Sequence, residues 1–512
     1  MLETVKQAKA GSIVPLYREL DKEIDAVEYF AKLSNYGKKK NSLLFEDKNR
    51  SIGTSNPCIL LTGKGNEFEI KALNDIGKKF LQFIKKDFGF CDKVVNGREK
   101  IHGILNPSRR NSTEDQRIKL KTHIDIIRVV ASKFKANDDV IGPTGLMGIV
   151  SYDFINNIED LPENSEDLLD DADYMLYFMD NMFIVDHNKK KTYFISNALI
   201  TDNKRDDLYK ICNKSLNSYE KLVDKKLPKQ KKLKKKAFDV KYNRNKNEFL
   251  GVIKNLKRNI INGEIVCATP SRMAVCTYNA EPLDFYSKMK NGKSTFYICE
   301  ENGVSIGSAF DSLKVQDNKA ELRIATTVSK RGYVDGEMDH DLDNKFETVL
   351  RIGENETVKH TILVDVARNE IAKISNVGTR YMDKLFAVEK QENEQKVVSN
   401  IKGELKEGLD SLHVFNSTLN VNAGVPKLSA MKLLRKVENT KRGFHFGSLL
   451  NISCNKNLDS KTIDIIRIKK DKAYVRAGSY VSQYCNDELV AENNEKKLSK
   501  FVDMVKEMGG FK

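Results

Sequence analysis

The chain has 512 residues, 40% of them hydrophobic and 31% charged, and a formal net charge of +15. This length allows two to four domains, or two large regions sharing a core. No apolar run approaches the roughly 18–20 residues that a membrane helix needs, and residues 1–3 do not open a signal peptide. The eight cysteines are scattered without a C-x-x-C pair, so neither a disulfide framework nor a zinc site is expected, and the thiols are read as reduced in the cytoplasm.

Residues 21–33 set Ile24, Val27, Phe30, Ala31 and Leu33 at helical spacing and predict an amphipathic helix. Residues 42–45 and 58–61 predict short buried strands, residues 142–154 are glycine-rich and then apolar, and residues 176–185 predict one or two further strands. Residues 225–236 (KKLPKQKKLKKK) carry eight lysines in twelve positions. Their mutual repulsion and lack of apolar anchors predict a solvated linker or loop. A nucleic-acid patch would interleave aromatics or arginines; none occurs inside the run, and no nucleic-acid partner is expected. The chain thus divides into residues 1–224, a lysine-rich linker or loop at 225–240, and residues 241–512. In the last region, strands are predicted at 295–299, 463–468 and 473–477, and helices at 247–262, 428–437 and 496–508.

Residues 360–370 (HTILVDVARNE) join an apolar run to His360 at one end and to Asp365, Arg368 and Asn369 at the other. A buried polar group without a partner costs roughly 1–3 kcal/mol, so these groups are expected to satisfy one another or a ligand. The stretch resembles the "EHLMLVDLARND" signature of the chorismate-utilising enzymes, and of the anthranilate synthase component I group in particular. The resemblance covers nearly the whole chain. Residues 43–46 are similar to "LLLE", 145–153 to "GLFGLVSYD", 184–187 to "VIDH", 263–272 to "GEIFQVVPSR" and 423–427 to "SGAPK". It implies an α+β fold, a large multi-layered sandwich of β-sheets and helices, with the chorismate site mainly in residues 241–512. It also implies a chorismate-utilising lyase. No amidotransferase segment follows Lys512, so ammonia is expected from a separate glutamine amidotransferase subunit or from free ammonium.

Several positions depart from the family pattern. The family holds Mg²⁺ with two glutamate pairs spaced three apart. Here Glu356 matches one member of the first pair and Lys359 stands at the other. The second pair falls on Val490 and Asn493, or on Glu492 and Glu495 if two residues are inserted. Glu356, Asn493, Glu492 and Glu495 are therefore the expected metal groups, with Mg²⁺ binding weakened by Lys359. Lys396 stands where the family keeps a general acid/base histidine, and it can act only if its pKa is depressed. The resemblance places substrate contacts at Thr326 and Thr327 ("IAGT"), Gly424 and Lys427, His445, Arg467 and Gly478; His445 reads equally as a core histidine. Val421, Cys267 and Tyr480 replace a threonine, a glutamine and a glycine of the family. Asp47 and the 291–294 segment depart from the motifs with which the family holds tryptophan, so no tryptophan binding is expected. Two alternatives stay open. One is a relative that binds chorismate or a similar dicarboxylate without metal, Lys359 and Lys396 supplying the charge; the other is a pseudoenzyme.

Overall fold

The computed structural model describes residues 2–107, 117–136, 141–164, 166–230, 236–290, 293–509 and 511, except the side chains of Thr327 and Asn355. The fold is α+β. Its strands join into a 21-stranded network whose pairings are antiparallel along the ladders that matter here. Strands Tyr174–Phe178 and Asn181–Asp186 show why it builds layers. Strand side chains alternate between faces, and both faces of these strands are apolar. Met175, Tyr177, Met182 and Ile184 pack into an inner layer with Phe45, Met147, Ile298 and Ile463. Leu176, Phe178, Phe183 and Val185 join the larger core against the helices.

Two ladders tie the ends of the chain together. Ser42–Glu46 pairs with Ser294–Glu300, and Gly145–Val150 pairs with Ser448–Ser453. Residues from either side of the lysine run therefore share one sheet and one core. Lys225, Lys226 and Lys229 are exposed, and residues 231–235 of the run lie outside the described residues.

The helix expected at 21–33 forms over Ala26–Leu33, shorter than its apolar pattern, because the Asp25 side chain accepts the Glu28 N–H and caps it there. The last helix is longer than its pattern and runs Asp487–Gly509. The 360–370 stretch lies inside the helix Glu354–Ile374, and helical periodicity corrects the expectation for its polar groups. Leu363, Val364, Ala367 and Ile371 are buried. Asp365 and Asn369 fall on the outer face, and Asp365 meets Arg368 only in a loose exposed pair at 3.8 Å. These three residues do not serve a ligand in the core; His360 and Glu370 are the polar side chains of the stretch that turn inward.

Candidate functional site

A cavity of about 190 Å³ opens between strands Gly303–Gln316, Lys319–Lys330 and Leu458–Lys469, the helix Ser411–Thr418 and the loop that follows it. Leu313, Leu322, Ile324 and Phe415 make its apolar walls, and Thr269, Ser460 and Thr462 add hydroxyls. Its cations are Arg323 and Arg442. Arg442 lies 4.3 Å from the Tyr152 ring and donates two hydrogen bonds to Glu438, at 2.9 and 2.6 Å. Arg476 also reaches Glu438, at 3.4 Å, while Arg435 pairs with Asp153 at 2.6 Å. Three guanidiniums on two buried carboxylates leave one positive charge behind the Arg442 wall, while Arg323 is held by Glu389 at 3.1 Å. Burial pushes the Arg476 guanidinium down to about 10.

Gly478 connects the cavity to a second group of side chains. A Cβ there would lie 3.4 Å from Phe446 and 3.5 Å from Thr269, both of which line the cavity. Its carbonyl accepts from Lys497 at 3.4 Å. Lys497 acts electrostatically on Lys359 and on Asp464. Lys359 sits 5.1 Å over the ring of Tyr480; burial lowers its pKa, Lys497 lowers it further, and Glu356 opposes the fall. Asp464 is on the same face of its strand as Ser460 and Thr462, because the ladder with Gly303–Gln316 keeps strict alternation from residue 458 to 468 on that strand. Burial raises the Asp464 carboxyl to about 6, against the pull of Lys497 and Lys293.

The same alternation corrects the expectation for Arg467. It shares the opposite face with Ile463 and Ile465, inside the sandwich, and is 1% exposed. It donates to Asp171 at 3.1 and 3.0 Å and to Glu300. With its hydrogen bonds used within the core, it is not free to hold a substrate carboxylate. His445 is also fully buried. Burial, with Arg476 and Arg467 nearby, holds it well below its ordinary pKa, as a neutral core histidine.

The other expected contacts divide. Thr326 Oγ1 lies 2.6 Å from His360 Nδ1, and His360 Nε2 lies 2.8 Å from Ser399 Oγ. Thr326 is thus engaged with the helix, and burial holds His360 down at about 4. The Thr327 side chain lies outside the described residues. Gly424, at φ +151, leaves a Cβ only 2.5 Å from the Cys267 carbonyl and from Ala430, so its role is close backbone approach. Lys427 donates to the Ser417 and Leu419 carbonyls at 3.1 and 3.4 Å and lies 3.6 Å from Glu370. It fixes the loop that forms the cavity floor rather than facing the cavity itself. Lys396 lines a separate cleft with Asp311, Lys461 and Glu389. Burial, with Arg323 adding to it, lowers its pKa.

The groups expected around Mg²⁺ are not brought together. Glu495 pairs with the buried Arg272, Glu492 pairs with Lys496 at 2.8 Å on the surface, and Asn493 is exposed. Among the described residues no three His, Cys, Asp or Glu side chains converge as a metal site. Mg²⁺ requires several oxygen ligands in near-octahedral array, and Glu356 with an ammonium three residues away does not supply that. The donor set does not fit the ion. Lys497, Asp464, Tyr480 and Cys267 were not among the expected contacts. Asp464 carried the one usable signal, as a lone carboxylate in an apolar strand in step with Ser460 and Thr462.

Residues 94–501 match the model of the chorismate binding enzyme family, and the chain belongs to that family. It is 26% identical over 470 residues to anthranilate synthase component 1 of Vibrio cholerae serotype O1, covering 89% of this chain and 88% of that one. Among solved structures, anthranilate synthase component I from Streptococcus pneumoniae TIGR4 superposes with a TM-score of 0.69 at 20% identity, covering 89% of this chain and 92% of the other. The menaquinone-specific isochorismate synthase of Escherichia coli superposes at 0.62 and 10% identity, covering 98% and 97%. These two share the fold.

Proposed function

We propose that this chain is a chorismate-utilising lyase of the anthranilate synthase component I type, taking ammonia from a separate amidotransferase subunit or from free ammonium in the cytoplasm. The cavity carries this reading. At about 190 Å³ it suits a single-ring metabolite, and its apolar walls with a guanidinium surplus suit a cyclic anion. The similarity to anthranilate synthase component 1 along most of both chains supports that branch over the isochorismate synthases. Lys396 stands in place of the family histidine but lines a cleft separate from this cavity, so no proton transfer is assigned to it.

A second reading, binding of chorismate or a similar dicarboxylate without turnover, is favoured by one observation: the carboxylates expected at the metal are engaged elsewhere, and Lys359 faces Tyr480. Incubation of the purified protein with chorismate and ammonium, with and without Mg²⁺, separates the two. Anthranilate detected by mass spectrometry supports the lyase. Saturable chorismate binding without product supports the second reading, and the absence of both rejects each.

A further inference from the structure

The side chains around Lys359 hold hydrogen-bond donors that the protein leaves unused. Among the described residues, the Lys359 ammonium donates no hydrogen bond; its contact is the face of Tyr480, 5.1 Å away. The Tyr480 hydroxyl is buried and meets no oxygen or nitrogen acceptor among the described residues; its neighbour is the weakly accepting Cys267 thiol. Lys497 reaches the Gly478 carbonyl at 3.4 Å. Glu356 acts electrostatically on Lys359 and Tyr480, and Lys497 on Asp464. The two carboxylates offset the two ammonium charges but do not take up these donors. Across Gly478, the arginine wall keeps its surplus positive charge.

The Tyr480 hydroxyl is buried, the Lys359 side chain is half-buried and Lys497 is exposed, so the cost of a buried donor without a strong acceptor falls on the tyrosine. A ligand carboxylate answers the need directly: it accepts at both oxygens and can bridge an ammonium and a hydroxyl. A divalent cation does not, because it would meet two ammonium groups where, among the described residues, no three His, Cys, Asp or Glu side chains converge. We propose that Lys359 and Tyr480, with Lys497 beside them, form a carboxylate-binding site that works without a metal ion. The site takes one carboxylate of a cyclic dicarboxylate whose ring lies in the cavity beyond Gly478. This rests on the reading that the cavity binds chorismate or a similar compound.

The test is calorimetric titration of the full chain with chorismate and, separately, with isophthalate as a plain cyclic dicarboxylate, each in EDTA and in excess Mg²⁺. The expected result is the same affinity in EDTA as in Mg²⁺. Lys359→Met should weaken binding roughly tenfold or more, the loss of a charge-assisted contact. Tyr480→Phe, which removes one oxygen and keeps the ring, should weaken it several-fold with an unchanged melting temperature, so the site is tested even if Lys359→Met folds poorly. Loss of binding in EDTA, or unchanged affinity in both variants, overturns the proposal while leaving chorismate binding standing. Isophthalate binding that depends on Lys359 and Tyr480, with no chorismate binding, upholds this site and rejects the chorismate reading. Binding of neither ligand rejects both.

Discussion

Replacing Arg467 with methionine separates a structural arginine from a substrate-binding one. In the folded protein Arg467 donates to Asp171 and Glu300, and all three are nearly inaccessible. Removing one partner of a buried ion pair costs about 3–5 kcal/mol, because the remaining charge stays buried. Lys469 still reaches Asp171 at 2.9 Å, which places the expected loss at the lower end, about 3 kcal/mol. With an unfolding entropy of roughly 2 cal/mol/K per residue over 512 residues, that loss lowers the melting temperature by about 3 °C. Affinity for chorismate should stay within about twofold of wild type, since the side chain points into the sandwich. Calorimetric unfolding and ligand titration of the same samples give both numbers. A variant that melts like wild type but binds chorismate tenfold more weakly would refute the reasoning.

Three further outcomes are expected. His360 sits at about 4 against its ordinary 6.5, so the unfolded chain takes up a proton between those values while the folded chain does not; the His360 contribution to stability should fall by up to about 3 kcal/mol as pH drops through that window and be constant above 7. His123 also sits near 4, so the His360 share is the difference in slope between wild type and His360→Asn, and parallel slopes would count against it. Lys396→Met should leave anthranilate formation within about twofold of wild type, because Lys396 lines a cleft separate from the cavity and a general acid or base must reach its proton; a loss of about 100-fold or more would place Lys396 in the mechanism. Tryptophan should not bind, because Asp47 and the 291–294 segment depart from the motifs with which the family holds it, and a titration giving micromolar affinity would refute this.

Much of the fold was legible in the sequence because burial imposes short periods. The strands at 295–299, 463–468 and 473–477 and the helices at 247–262 and 428–437 appear within a few residues of their patterns. The site was less legible. Motif matching placed Arg467 at a family position but carried no information about which strand face it uses, and one step of alternation decides between core and cavity. Asp365, Arg368 and Asn369 look exceptional in a linear string and ordinary on the outer side of a helix. Lys359, Tyr480 and Cys267 are far apart in sequence and meet only through the packing of three separate elements, so their mutual contact left no local trace.

The ladder between Gly145–Val150 and Ser448–Ser453 also governs how the chain must be made. During synthesis the first strand emerges about 300 residues before its partner, a wait of about 15–60 s at 5–20 residues per second. For that interval the strand exposes an apolar edge of the kind that recruits other chains. Fragments ending before residue 448 should therefore aggregate rather than fold, and efficient folding in a cell should depend on chaperones that hold the first half until the second arrives.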